Sequence, residues 1–272
     1  MANSINTNQG AFVALNNLNS INRTGQTLQN QQSTGKRVNS AVDNAASYVI
    51  AQQIQGTLQA TSAVSQGISN ASGVTAVALA AGNALSDQLG NLQATIIAAQ
   101  NPGNTSQQQA IYAQDFQSQT AQINQTIQNA SFNGRNLLSA GSTSLNVLAN
   151  TDGTTVTVQS NSFFSTAAAN LGAQSLSTTA GAQQAFSALQ QAQASLGTAL
   201  GNLGADTRTL QAQQQSLQVQ SDAQSVGLGS IVDADLGRVS ALSLANQVQQ
   251  QLSTQTLNIA NRNPQVLVSL FR

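Results

Sequence analysis

The sequence predicts a mainly α fold: an elongated antiparallel helical bundle or coiled coil with one small β-hairpin. Three observations predict it. Apolar residues recur at a 3,4 spacing over most of the chain, the period of packed helices. Residues 139–181 alone lose that period. The longest stripe runs about fifty residues without a proline, the residue that would break a helix there.

The first stripe is short: Ala11, Ala14, Leu18, Ile21, Gly25 and Leu28. Residues 31–46 follow as a non-periodic connector. The main stripe then begins at Ile50 and passes through Ile54, Thr57, Thr61, Val64, Ile68, Ala71, Thr75, Ala78, Gly82, Leu85, Leu89, Leu92 and Ile96 to Ala99. A helix of that length measures about 75 Å at roughly 1.5 Å per residue. A compact globule of this chain length has a diameter of only about 50 Å, so a rod is expected. Asn101-Pro102-Gly103-Asn104 reads as a turn. A second stripe, Ala113, Phe116, Thr120, Ile123, Ile127 and Ala130, returns antiparallel to the first. It stops at Phe132-Asn133-Gly134, where Asn-Gly accepts the positive φ of a helix stop or a turn.

Leu145, Val147, Val156 and Val158 alternate around Asn150-Thr151-Asp152-Gly153, the pattern of one β-hairpin near residues 144–159. The rest of that stretch is rich in Ser, Thr, Ala and Gly and is read as too weakly apolar for a large separate domain. From Ala182 the helical register resumes through Phe186, Leu189, Leu196, Leu200, Leu203, Leu210, Leu217, Leu228 and Ile231. It continues through Leu242, Ala245, Leu252, Ile259, Val266 and Leu270. Gln193, Thr207, Gln214, Ser221 and Gln224 fill other core slots and weaken the seam. Gly227, Gly229 and Gly237 are expected to break this last helix into two. The domain reading is therefore terminal helices over 1–32 and 237–272, connectors over 33–46 and 226–236, and a bundle over 47–225.

Composition excludes whole classes of function. The 272 residues hold eight Lys+Arg and eight Asp+Glu, with no His, Cys or Trp. Thiol and imidazole catalysis, disulfide scaffolds and Cys/His metal sites fall away, and no cofactor or metal is called for. Eight scattered cations make no nucleic-acid surface. The apolar run Val77-Ala78-Leu79-Ala80-Ala81, even with Ala76 before it, is far too short to cross a bilayer, so no membrane insertion is expected. Amides replace charge: 42 Gln and 28 Asn give a hydrated surface with little self-repulsion, which favours association. The polar start, Met1-Ala2-Asn3-Ser4-Ile5, has neither a basic nor an apolar signal region.

The terminal stripes imply partners. A single-stripe helix is marginal alone in water. The two ends can pair, yet Phe12, Val13 and Leu15 lie off one seam and Leu244, Val248 and Leu267 off the other. Such ends pack fully only against other molecules.

The connector reads Ser33-Thr34-Gly35-Lys36-Arg37-Val38-Asn39-Ser40-Ala41-Val42-Asp43-Asn44-Ala45-Ala46. Gly35 permits a turn, and Ser40 with Asp43 has the spacing of a capping box opening the long helix. Arg37 and Asp43 are near enough in sequence to pair. The stretch resembles the bacterial flagellin motif Leu-Ser-Thr/Ser-Gly-x-Arg-Ile-Asn-x-Ala-x-Asp-Asp-Ala-Ala. Ser33, Thr34, Gly35, Arg37, Asn39, Ala41, Asp43, Ala45 and Ala46 match it; Gln32, Val38 and Asn44 depart from it. The family pattern continues in Phe132-Asn133-Gly134-Arg135-Asn136-Leu137-Leu138. It recurs in Asp233-Ala234-Asp235, Ala260-Asn261 and Pro264-Gln265-Val266-Leu267-Val268-Ser269-Leu270.

The resemblance implies a short flagellin with the terminal coiled-coil region (D0) and helical bundle (D1) and no substantial outer domain. It implies a structural subunit of the swimming filament, not an enzyme, packing with itself in a helical homopolymer or with other flagellins in a mixed filament. It further implies export through the flagellar type III apparatus to the cell exterior. An export chaperone, the filament cap and hook-associated proteins are the implied partners. On this reading Leu15, Leu18, Ile21, Leu28, Leu252, Ile259, Val266 and Leu270 carry assembly, while Gly35, Arg37, Asn39 and Asp43 form the connector motif. Leu92-Gln93-Ala94-Thr95-Ile96-Ile97-Ala98 lacks the arginines and glutamate found where the innate flagellin receptor binds other members, so weak recognition is expected. The rival readings are a hook–filament junction protein, which shares the terminal patterns, and an extracellular coiled-coil adhesin. Asp233 and Asp235 are a carboxylate pair without a base, metal partner or phosphate loop beside them.

Overall fold

The structure, a computed structural model, describes residues 7–269, with side-chain surroundings for 7–262. The chain divides into two compact units, one formed by Met1–Gly56 with Ala223–Arg272 and the other by Thr57–Asp222. In order, the elements are α1 (Gln9–Thr34), α2 (Ala45–Ala99), α3 (Ser106–Asn129), β1 (Ser131–Phe132), β2 (Arg135–Asn136), β3 (Leu145–Leu148), β4 (Thr155–Val158), α4 (Ser162–Gly172), α5 (Thr179–Val232) and α6 (Leu236–Ser269).

The core of the second unit is the stripe read from the sequence. Val64, Ile68, Ala71, Ala78, Leu85, Leu89, Leu92, Ile96 and Ala99 of α2 are all buried, and so is Thr75. They meet Phe116, Ile123 and Ile127 of α3 and Leu189, Leu196, Leu203, Leu210 and Leu217 of α5. The stripe is buried from Thr61 onward, whereas Ile50 is exposed. At Gly82 the approach is close: an added Cβ would sit 2.6 Å from Leu200 Cδ2.

The helix ends are closed by amides and hydroxyls, since few charges are available. Thr105 and Gln108 form a reciprocal capping box at the start of α3. At the end of α2, Asn104 Nδ2 donates to the Ala98 carbonyl at 2.8 Å. The buried Gln109 side chain donates to the carbonyls of Ala99 and Leu176. Asn136 ends α3. Its Nδ2 donates to the Ile127 carbonyl at 2.6 Å, and its Oδ1 accepts from Leu138 N and Ser139 N at 2.8 and 3.0 Å. Those bonds aim Leu137 and Leu138 into the core, where both are buried.

Three departures from the sequence reading stand out. Asn133 and Gly134, with φ of 49° and 75°, make a two-residue turn between β1 and β2, a second hairpin that the pattern reading took as a helix stop or a turn. Phe132 at that turn covers Gly73, where a Cβ would lie 2.8 Å from the ring. The weakly apolar stretch also folds α4, which packs on α3. Its buried face, Phe164, Ala168 and Leu171, has helical spacing but is too short to stand out among alanines and serines. Finally, Gly227 and Gly229 do not break the last helix. α5 runs through both to Val232, since a glycine costs only about 1 kcal/mol inside a helix. The interruption falls at residues 233–235.

The sequence-read hairpin is present, with Leu145 opposite Val158 and Leu148 opposite Thr155. Asn150 Oδ1 gathers the N–H groups of Asp152 and Thr154 at its turn. Gln213 Nε2 holds it to α5 by donating to the Ala149 carbonyl at 2.7 Å.

Asn136→Ala strands the Ile127 carbonyl and two loop N–H groups. It is expected to lower stability of the full chain by about 1–3 kcal/mol, the cost of unsatisfied polar groups, measured by urea denaturation followed by circular dichroism.

Candidate assembly interface

α1 and α6 form one antiparallel pair in the first unit. Asn8 caps α1 by accepting from Ala11 N at 3.1 Å, and its Nδ2 donates to the Ala260 carbonyl at 2.8 Å. Further along, Asn246 Nδ2 donates to the Ile21 carbonyl at 3.1 Å and Gln250 Nε2 to Asn22 Oδ1 at 2.9 Å. On α1 the seam is the stripe read from the sequence: Ala14 and Leu28 are buried, and Ala11, Leu18, Ile21 and Gly25 half-buried.

On α6 the seam is different from the one expected. Val239, Asn246 and Ser253 are buried against α1, at seven-residue spacing, with Leu257 and Ala260 half-buried. Leu242, Ala245, Leu252 and Ile259, the expected stripe, are exposed. The bulky α1 stripe leaves room for small and amide side chains opposite, and hydrogen bonds to α1 favour Asn and Gln there. Leu242, Leu244, Val248, Leu252 and Ile259 of α6 turn outward.

The expected assembly residues therefore separate. Leu18, Ile21 and Leu28 lie in the seam within the subunit. Leu15, Leu252 and Ile259 point outward, Leu252 and Ile259 at 62% and 61% exposure. Val266 and Leu270 lie outside the residues whose surroundings are described. Phe12, Val13, Leu244 and Val248 are outward as well; of the off-seam residues read from the sequence, Leu267 lies outside the described side chains.

The connector motif is brought together with residues distant in sequence. Gly35 ends α1 at φ 68°, its N–H donating to the Gln31 carbonyl at 2.9 Å. Lys36 then pairs antiparallel with Asp233. Arg37 N donates to the Val232 carbonyl at 2.7 Å, and Ala234 N to the Gly35 carbonyl at 2.9 Å. Arg37 does not reach Asp43: its Nη2 donates to the Ile231 carbonyl at 2.6 Å. Orphan carbonyls at the end of α5 are thus satisfied by the motif. Val38 is buried with Ala51 and Val232 beneath this junction.

Asp43 does not cap α2 as the spacing suggested. Its Oδ2 accepts from Asn39 N at 3.0 Å, Ser40 N at 2.9 Å and Ser40 Oγ at 3.1 Å, closing a turn before the helix. Asn44 is the cap, accepting from Ser47 N at 3.0 Å. The backbone N–H groups of Asn39 and Ser40, then the Ser40 hydroxyl, hold the Asp43 carboxyl below its ordinary value. Asp235, read as half of a carboxylate pair, accepts from Arg238 N at 3.1 Å at the start of α6. Among the described residues no cluster of acidic side chains is placed to hold a metal, and no helix is long and apolar enough to cross a membrane.

Paired helices with outward apolar faces, joined by a hydrogen-bonded connector, define a structural helical subunit. Residues 5–143 match the family described as the bacterial flagellin N-terminal helical region. The chain is 34% and 38% identical to the flagellins FljM and FljK of Caulobacter vibrioides, in each case over 99% of both chains. It is 32% identical to a flagellin of Brucella melitensis, again over 99% of both. Its fold resembles a candidate flagellar hook-associated protein from Vibrio parahaemolyticus, with a TM-score of 0.59 at 12% identity over 70% of this chain and 100% of the other. That likeness is one of fold alone. The chain belongs to the bacterial flagellin family and is a structural subunit of the flagellar filament.

Because the folded carboxyl of Asp43 is held below its ordinary value of 3.8, the turn is fully supported above that pH and loses support as pH falls through the lower folded value. The Asn39 and Ser40 amide resonances are expected to titrate with a midpoint below 3.8. In Asp43→Asn that titration is absent when followed by NMR.

Proposed function

We infer that copies of this chain pack through the outward faces of α1 and α6, with Leu15, Leu252 and Ile259 central. One observation carries the reading: α6 meets the α1 stripe mainly through small and amide side chains, while Leu242, Leu244, Val248, Leu252 and Ile259 of α6 and Phe12, Val13 and Leu15 of α1 face away. A helix pair arranged this way leaves hydrophobic burial to its neighbours. Few charges oppose packing, so assembly responds only weakly to salt.

The terminal helices, 1–32 and 237–272, are the D0 region in this reading; 33–46 and 226–236 are its connectors, and 47–225 is the D1 bundle. Leu18, Ile21 and Leu28 support assembly indirectly by holding α1 on α6, and the Gly35, Arg37, Asn39 and Asp43 motif fixes the junction below them. The work is mechanical, with no reaction catalysed. The subunit leaves the cell through the flagellar type III apparatus, escorted by an export chaperone, and is placed beneath the filament cap, with hook-associated proteins at the filament base. The polymer is a homopolymer or a mixed filament with other flagellins.

Electron microscopy of seeded, purified protein tests the reading. Deleting residues 1–30 is expected to abolish filaments while the Thr57–Asp222 unit stays helical. Burying one such side chain contributes about 1.5–3 kcal/mol. Leu252→Ser with Ile259→Ser is therefore expected to raise the concentration needed for polymerisation at least about tenfold. Filaments formed as readily by either variant would sink the proposal.

A receptor-reporter assay with purified monomer bears on the stretch from Leu92 to Ala98. Leu92 and Ile96 are buried there, and the exposed positions carry no charge, so weak activation is expected; strong activation overturns that expectation.

A further inference from the structure

Gly25 lies well inside α1, where alanine would be the better helix former. The reason for glycine is on the facing helix. A Cβ at Gly25 would lie 2.8 Å from Asn246 Oδ1. Asn246 is only 8% exposed, and its Nδ2 donates to the Ile21 carbonyl at 3.1 Å. That carbonyl lies one turn before Gly25, and the missing Cβ is what lets a side-chain amide approach it.

The rest of the seam discriminates poorly between alignments. Val239, Asn246, Ser253 and Ala260 are seven residues apart, so a slide of one heptad lays seam upon seam. The facing positions of α1, Ala11, Ala14 and Leu18, offer apolar contact without direction. Of the other hydrogen bonds across the pair, Gln250 to Asn22 is exposed and Asn8 to Ala260 lies at the start of α1. Asn246 differs from both, because a slide of one heptad carries it off Gly25 and toward Leu18, whose side chain shields the backbone. A buried amide would then be left without a partner, the device by which one polar residue fixes register in coiled coils.

We propose that Asn246 and Gly25 together are the register lock of the terminal helix pair: the side-chain amide of Asn246 fits only where α1 lacks a Cβ. The lock sets which α6 residues face outward beside which α1 residues, and hence the composite apolar surface a subunit offers its neighbours. This rests on the assembly reading above for its consequence, but the alignment itself can be measured separately.

The chain has no cysteine, so engineered pairs report alignment directly. A Cβ built at Gly10 lies 3.9 Å from Ala260 Cβ, within disulfide range. Gly10→Cys with Ala260→Cys therefore marks the native alignment. Gly10→Cys with Ser253→Cys marks a slide of one heptad, its two positions being about 10 Å apart along the axis when native. Both pairs are oxidised with copper–phenanthroline, in the soluble chain and in seeded polymer.

With Asn246 present, only the native pair is expected to cross-link. With Asn246→Leu the slid pair is expected to gain cross-linking by about tenfold, the discrimination that one stranded buried amide supplies. Asn246→Leu chains that still cross-link only at the native pair overturn the lock. In a second arm, Gly25→Ala lowers native cross-linking and adding Asn246→Ala restores it; failure of the second change to restore it also overturns the lock. A wild-type chain that never polymerises sinks the assembly reading, while the cross-link pattern in solution still decides the alignment.

Discussion

The hydrogen bonds between α1 and α6 run from amide side chains to backbone carbonyls and to other amides, and this is the constraint on which the rest of the structure depends. On the α6 side amides and small residues meet the apolar stripe of α1, as with Asn246 on the Ile21 carbonyl and Gln250 on Asn22. Because these groups are satisfied inside the pair, Leu242, Leu244, Val248, Leu252 and Ile259 of α6 and Phe12, Val13 and Leu15 of α1 are released to face outward. A pair held by leucine on leucine would hide the same side chains and leave a polar outer surface. In the assembly proposed above, the apolar outer face is what makes association with other copies favourable.

The same chemistry recurs wherever the chain must end a helix or turn. With eight acidic and eight basic side chains in 272 residues, charge-assisted caps are scarce, and Asn136, Gln109, Asn104, Asn44 and Asn150 carry out that role. An amide both donates and accepts, so Asn136 can close α3 with its N–H groups while its oxygen organises the next loop. The connector uses one of the few charges differently. Arg37 donates to a carbonyl at the end of α5, so the junction between α1 and α2 is fastened to the junction between α5 and α6. The paired connectors set where each terminal helix begins, and the bulk of Val38 and Val232 fills the space beneath them.

Much of the fold is legible in the sequence because helical spacing survives where many turns repeat it. The α2 stripe from Thr61 to Ala99, the α3 stripe through Phe116 and Ile127, and the α1 stripe through Leu28 are each buried or half-buried as spacing requires. The hairpin at residues 145–158 shows in the alternation of Leu145 and Val147 with Val156 and Val158. α4 was illegible because three residues, Phe164, Ala168 and Leu171, are too few to establish a period against a background of alanine. The helix break falls at 233–235 rather than at the glycines because glycine is a weak breaker, whereas there the backbone bridges to the connector at Gly35 and Arg37 and Asp235 caps α6 through the N–H of Arg238.

The sequence by itself determined the helical class, the hairpin, the dominance of amide over charge and the family, since each is written in local spacing or in motif residues. Only the tertiary structure decided which face of α6 turns toward α1. Apolar spacing locates a stripe but not the neighbour that covers it. Here the choice was made by the shape of α1: Gly25 leaves an opening that admits the Asn246 amide, and Leu242, Leu244 and Leu252 of α6 are directed elsewhere. The connector was decided in the same way, since the motif around Gly35 and Arg37 finds its partners nearly two hundred residues away, at the carbonyls ending α5.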